Sequence, residues 1–221
     1  GSSASTGGSR YTMDTVTGSD TAYYRVANYL DSLSYQMLMT ILIVAVLAAV
    51  ISLLWSIFGA APLEVGRDRY FMESRQALSP AATVTSVFRT PYMNVVKVQF
   101  LRNLKIVVGT LLLVVPGIYW SFCYALVPYL LAENPYLSTT RAMQLSKDIM
   151  DGEKFHYFVL ALSFIGWDVL CSLTLGIGFF FLEPYKQATE AEFYAAMRSK
   201  ALAQGLTTTE ELGGFVRHES Y

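Results

Sequence analysis

Residues 36–58 read QMLMTILIVAVLAAVISLLWSIF, 23 positions without one charged side chain. A helix crossing the hydrocarbon core of a bilayer needs about 20 apolar residues, because its backbone must be bonded internally while its side chains face lipid. Two further runs meet the same demand. Residues 106–132 carry no charge over 27 positions, and residues 157–182 carry only Asp168 over 26. Charged residues make up 15% of the chain and hydrophobic ones 53%, against about a quarter charged in an average soluble protein. A polar shell able to cover three such runs as buried core helices is therefore missing.

The expected fold is all-α: a polytopic helical membrane protein with three long spans at about 36–58, 104–132 and 156–182, two of them kinked, plus amphipathic interfacial helices. Residues 1–34 are rich in Ser, Thr and Gly and lack apolar periodicity, so a disordered or weakly ordered arm is expected there. The first span begins too late and is too long for a cleavable signal segment, so it is expected to stay uncleaved.

Between 59 and 105, seven basic residues (Arg67, Arg69, Arg75, Arg89, Lys97, Arg102 and Lys105) stand against three acidic ones, with Leu63, Tyr70, Phe71, Val95 and Val98 among them. That mixture predicts interfacial helices at about 62–76 and 84–102, with the bilayer as partner and anionic headgroups beside this stretch. Ser138, Thr139 or Thr140 can cap a further interfacial helix over 138–151, whose Ala142, Leu145 and Ile149 share one face. Pro184 opens a C-terminal helix to about 204, and residues 205–221 are expected to form a flexible tail.

Cytoplasmic loops retain Lys and Arg. With three crossings the 59–105 segment and the tail share one side, and eleven basic residues stand there against five on the other. The expected location is thus a bacterial cytoplasmic membrane, multi-pass, with the C-terminus cytoplasmic. Re-entrant pairs made from the Leu63 to Arg75 segment or from the broken spans would make the number of crossings even and move the N-terminus inside.

The breaks fall in LVVPGIYWSFCYALVPYLLAENP, residues 113–135. Pro116 denies a helical partner to the carbonyl of Leu112, and Pro128 does the same to Tyr124, so those groups need a receiver. Another helix is the expected receiver; a wet cavity would point to transport. Pro116, Gly117, Tyr124 and Pro128 are therefore candidate functional or kink positions, joined by Gly176 and Gly178 of TLGIG, where close packing or a bend is expected.

Among polar residues, Asp168 is the one acid inside a span and invites a functional reading, although Trp167 beside it favours a shallow position. Glu133 and Asn134 close the second span. An anion at a helix C-terminus is poorly placed, which predicts a partner for Glu133, with Lys147 or Lys154 the candidates. Arg102 completes the candidate set.

Cys123 and Cys171 lie in apolar runs, and the two histidines are isolated, so no metal or other cofactor is expected. The net charge of −1 argues against nucleic acid. No nucleophile-and-base elbow, paired catalytic carboxylates, phosphate loop or HExxH is present in the sequence. The favoured reading is a non-enzymatic accessory, assembly or transport-associated membrane component, associating with other membrane proteins or itself. A small-solute transporter or channel using the broken spans is the alternative, ahead of a lipid- or peptide-modifying membrane enzyme.

Six ordered motifs, PLEVGRDRYF, FLRNL, PGIYWSFCYALVPYLLAENP, RAMQLSKDIMDGEKF, LSFIGWDVLCSLTLGIG and EPYKQATEAEFY, resemble the bacterial integral-membrane family called domain of unknown function 975. The resemblance covers residues 62–194. It implies a multi-spanning bacterial membrane protein and carries over no activity and no catalytic residue. It also implies that the stretch matching residues 59–73 is membrane-associated.

Overall fold

The computed structural model describes residues 11–76, 78–89 and 91–213, with side chains described from residue 22 onward. The described residues contain helices and turns and no strand. Three helical segments, Ala22–Ser74, Val114–Glu133 and Lys154–Leu173, are long and apolar enough to cross a membrane. The chain is an all-α helical membrane protein. Its contacts divide it into two units, residues 1–53 and 54–221.

The described residues of the first unit all belong to one helix, α1 (Tyr11–Trp55), which runs on into the start of the second. Its large apolar side chains are exposed from Met37 to Leu54, as a lipid-facing surface requires. Polar side chains fold back on the helix: Thr40 donates to the carbonyl of Gln36, and Ser32 and Ser34 donate to Tyr29 and Asp31. The arm expected over residues 1–34 is helical from Tyr11; residues 1–10 lie outside the described residues. Composition understated this because an established helix extends by adding one hydrogen bond per residue, which is far cheaper than nucleation.

In the second unit α1 is followed by a π-helical turn (Ser56–Ala60) and α2 (Ala61–Ser74). Gly66 lets the 3₁₀ segment Ala81–Arg89 lie directly on α2: a Cβ there would sit 1.9 Å from the carbonyl oxygen of Val84. The helix expected over 84–102 is split, because Pro91 supplies no N–H and α3 (Tyr92–Leu112) starts after it.

At Leu113 the backbone is extended (φ −157°, ψ 139°), and the chain returns along α3 as α4 (Val114–Cys123). A short turn leads to α5 (Val127–Glu133), every residue of which is buried. The run expected as one kinked span over 104–132 thus folds as the end of α3, a reversal, α4 and a core helix. Around α5 pack Val65 and Met72 of α2, Val95 and Val98 of α3, and Leu145 of α6 (Thr139–Ile149). Ala191 and Tyr194 of α8 (Phe179–Ala203) complete that cluster. The expected face of α6, Ala142, Leu145 and Ile149, is buried. The 62–76 helix, expected at the membrane surface, likewise turns Val65, Asp68 and Met72 into the protein.

A second reversal joins α7 (Lys154–Leu173) to α8 through residues 174–178. Phe164 meets Tyr185 and Tyr157 meets Phe193 along the pair, and Lys200 bonds Glu153 at its open end. The tail expected to be flexible from 205 is instead packed as far as α9 (Thr209–Leu212), whose Leu212 is buried in the core. Residues 214–221 lie outside the described residues.

Candidate functional site

Pro128 stands in the first turn of α5, where a missing N–H is one of those any helix start leaves unpaired. The carbonyl it displaces, that of Tyr124, accepts from Nε of Arg102 at 3.0 Å. The same guanidinium donates to Oε1 of Gln99 at 3.3 Å and lies 3.5 Å from Oε1 of Glu64. Gln99, fully buried, turns its amide toward Oε2 of Glu64 (3.3 Å) and the Ala61 carbonyl (3.4 Å). Arg102, Tyr124 and Pro128, three of the candidates, therefore meet in one polar knot tying α2, α3 and the α4–α5 turn. The receiver of the freed carbonyl is protein.

Pro116 also stands in the first turn of its helix, α4, and begins a helix where a kink was expected. Gly117 beside it is packed on the facing leg: a Cβ would fall 2.2 Å from Oγ1 and 2.7 Å from Cα of Thr110. Gly109 of that leg lies under the Trp120 ring. The tip, Leu111 to Val115, is apolar and exposed. The other hairpin closes in the same manner. A Cβ on Gly178 would fall 2.6 Å from Sγ of Cys171, and Leu175 (φ 53°) and Gly176 (φ 87°) turn the chain in the left-handed region. Its tip exposes Leu173, Leu175, Ile177, Phe180 and Phe181. A cavity of about 450 Å³ beside this hairpin is lined largely by apolar side chains, Leu170, Phe181 and Leu182 among them.

Glu133 takes neither Lys147 nor Lys154 as partner. Its side chain is fully buried, accepting from Oη of Tyr194 at 2.5 Å and from Nε of Arg198 at 2.6 Å. The reason is helical spacing: Glu190, Tyr194 and Arg198 fall one turn apart on α8 and present one polar stripe to α5. Tyr129 of α5 stacks on Tyr194 (5.2 Å between centroids) and bonds Glu190 at 3.2 Å. Burial pushes the Glu190 carboxyl above its ordinary range, opposed by the Tyr129 hydroxyl. Burial, with the Glu133 carboxylate beside it, raises the Tyr194 phenol well above its own.

Asp168 and Lys186 pair across the α7–α8 hairpin at 3.3 Å, so the lone acid of the third run is matched within its own hairpin. Asn134 donates to the Glu211 carbonyl at 2.7 Å and holds α9, helped by a bidentate Arg141–Glu211 pair. Lys154 bonds Asp151 at 3.1 Å, and Lys147 lines a surface cleft between α3 and α6. Asp168 and Glu133 have separate partners. Among the described residues no cluster of His, Cys, Asp and Glu is placed to hold a metal ion.

The sequence reading missed Glu64, Asp68, Gln99, Glu190, Tyr194 and Arg198. A signal existed: Glu64 and Asp68 are four apart, and Gln99 falls in the stripe of Val95, Val98 and Arg102, so polar residues at helical spacing marked buried faces.

The chain matches the family described as protein of unknown function DUF975 over residues 4–201, and it belongs to that family. No curated protein and no solved structure matches it.

Proposed function

We propose that this family member is a non-enzymatic accessory component of the bacterial cytoplasmic membrane, working through its two apolar-tipped hairpins on neighbouring membrane proteins. The observation that supports this reading is how the molecule uses its polar groups. Arg102, Glu133, Asp168 and Arg198 are held by partners within the protein, while the side chains left without packing at both hairpin tips are large and apolar. Such tips are stable in lipid or against another apolar surface.

Each hairpin returns the chain to the body it left: Lys105 and Tyr124 meet at the base of one, Glu153 and Lys200 at the base of the other. In the proposed topology the first apolar run crosses the bilayer, and the hairpins dip into it and return. A transport reading has less support, since the Tyr124 carbonyl is taken by Arg102 and both Pro116 and Pro128 stand in the first turns of their helices.

The test places single cysteines at Leu112, Leu175, Ser5 and Thr208 in a Cys123→Ala, Cys171→Ala background, and a photo-crosslinking residue at Phe180. An impermeant maleimide is expected to label Ser5 and Thr208 from opposite sides and neither tip from either side. Phe180 is expected to give a discrete protein adduct in native membranes. Labelling of a tip would refute the inserted hairpin, and adducts to lipid alone would refute action on a protein neighbour.

A further inference from the structure

Among the described residues, five basic side chains take part in no ion pair: Arg25, Arg89, Lys97, Lys105 and Lys147. Three of them, Lys97, Lys105 and Lys147, line a single cleft of about 640 Å³ between α3 and α6 that contains no acidic side chain. Every other described cation from Arg67 onward, Arg89 apart, has its own carboxylate. Like charges lining one cleft repel, and an anion between them removes that repulsion.

The rest of the lining suits the same ligand. Thr139, Thr140 and Gln144 face the cleft, and no hydrogen bond occupies their side chains. Ser138 caps α6, an 11-residue helix whose first backbone N–H groups have no partner within the helix. These donors and the lysines fit a phosphate oxygen better than a carboxylate, because a phosphate offers more acceptor positions to ligands arriving from α3 and α6 together.

The cleft also has a direction. Lys97, Leu101 and Lys105 follow one another at four-residue spacing along α3, and the next turns of that stripe are Val108 and Leu112, exposed at 42% and 72%. The Lys105 ammonium lies over the Tyr124 ring at 5.6 Å, where the polar cleft gives way to the apolar leg of the hairpin. One end of the stripe suits an anion and the other an acyl chain. We propose that this cleft binds the phosphate of one anionic phospholipid, whose chains run along α3 toward the hairpin tip.

The proposal rests on the membrane reading above for the source of its ligand, but its test does not depend on hairpin insertion. Full-length protein in dodecylmaltoside micelles is titrated with fluorescent phosphatidylglycerol, with phosphatidylcholine and inorganic phosphate as comparison probes. Saturable one-to-one binding of phosphatidylglycerol is expected, with phosphatidylcholine much weaker. Each Lys→Gln change at 97, 105 or 147 is expected to weaken binding about fivefold and the triple change about a hundredfold, since a basic residue near an anionic headgroup contributes about 1 kcal/mol. The triple Lys→Arg variant keeps the charge and is expected to keep binding, which separates loss of the site from loss of the fold. Arg25→Gln with Arg89→Gln removes two unpaired charges outside the cleft; it is the control for any double Lys→Gln change and is expected to bind as the parent does. Unchanged binding in the triple Gln variant, or an equal loss in the control, overturns the proposal. Displacement of the lipid by inorganic phosphate at the lipid's own concentration assigns the cleft to a free phosphate and overturns the lipid assignment. Failure of the tip-labelling experiment with retention of this binding would remove the inserted hairpins and leave the cleft standing.

Discussion

Replacing Gly117 with alanine tests whether the α3–α4 hairpin is held by close backbone approach. The new Cβ would lie 2.7 Å from Cα and 2.2 Å from Oγ1 of Thr110, whereas ordinary contact begins at 3.4 Å. The hydroxyl cannot turn away freely because it donates to the Ile106 carbonyl at 2.9 Å. Relief therefore requires the two legs to part by about 0.7 Å, a gap that forfeits roughly a quarter to a half of each affected van der Waals contact. Those contacts include Gly109 under Trp120. Overpacking of this kind costs about 1–3 kcal/mol, and the helix preference for alanine over glycine returns about 0.5–1 kcal/mol. The net expectation is a loss centred near about 1 kcal/mol and no larger than about 2.5 kcal/mol.

Gly166 supplies the matched control, because a Cβ there meets nothing within 4 Å and Gly166→Ala should stabilise by about 0.5–1 kcal/mol. Unfolding by sodium dodecyl sulfate in mixed micelles, followed by Trp120 fluorescence with Trp55 and Trp167 changed to Phe, measures both. Adding Thr110→Ala removes the 2.2 Å contact but leaves the Cα at 2.7 Å, so it should recover less than half of the loss. Equal effects at 117 and 166, or full rescue by Thr110→Ala, would refute backbone approach as the cause.

Three further outcomes follow from the polar contacts. Arg102→Met removes the closer of two donors to the Tyr124 carbonyl, the other being the Val127 N–H at 3.3 Å, and should cost about 1.5–3 kcal/mol in the same assay; no loss would mean that the Val127 N–H alone satisfies the carbonyl. Arg198→Met leaves the buried Glu133 carboxylate with Tyr194 alone and should cost about 3–5 kcal/mol, of which Glu133→Gln in the same chain should recover a large part. The Arg141 guanidinium holds the Glu211 carboxyl below its usual 4.5, so the stability of this pair is present above that value and is lost as the pH falls through the lower folded one. Limited proteolysis within residues 206–213 should therefore accelerate in strongly acidic solution, and Arg141→Met should show the faster rate already at neutral pH.

Run length made the membrane class and the all-helical fold legible, since the uncharged stretches exceed what crossing a bilayer requires. Where the runs turn was only half legible. Pro116 and Pro128 were visible, but a proline inside an apolar run reads equally as a kink or as the first turn of a new helix. The choice depends on a tertiary partner, and here that partner is Arg102, 22 residues away in sequence from the carbonyl it receives. The partner of Glu133 was hidden for the same reason. Lys147 and Lys154 follow Glu133 within a few turns of chain, whereas Arg198, 65 residues away, reaches it because α8 folds back beside α5. Helical spacing could have found the stripe of Glu190, Tyr194 and Arg198, though not the helix it faces.

The hairpins also change the weight of the charge asymmetry. Under three crossings, the second loop, with Arg141, Lys147 and Lys154, lies opposite the 59–105 segment, and the bias is modest. In the proposed topology both hairpins return to the body, so among the described residues every basic one from Arg67 to Lys200 falls on one side and Arg25 on the other. Retention of Lys and Arg in the cytoplasm then favours a single orientation far more strongly. It also places Lys97, Lys105 and Lys147 on the side where the leaflet carries anionic lipid. In that topology the folding back that gives the freed Tyr124 carbonyl its protein donor also sets the unpaired lysines beside the lipid they are proposed to bind.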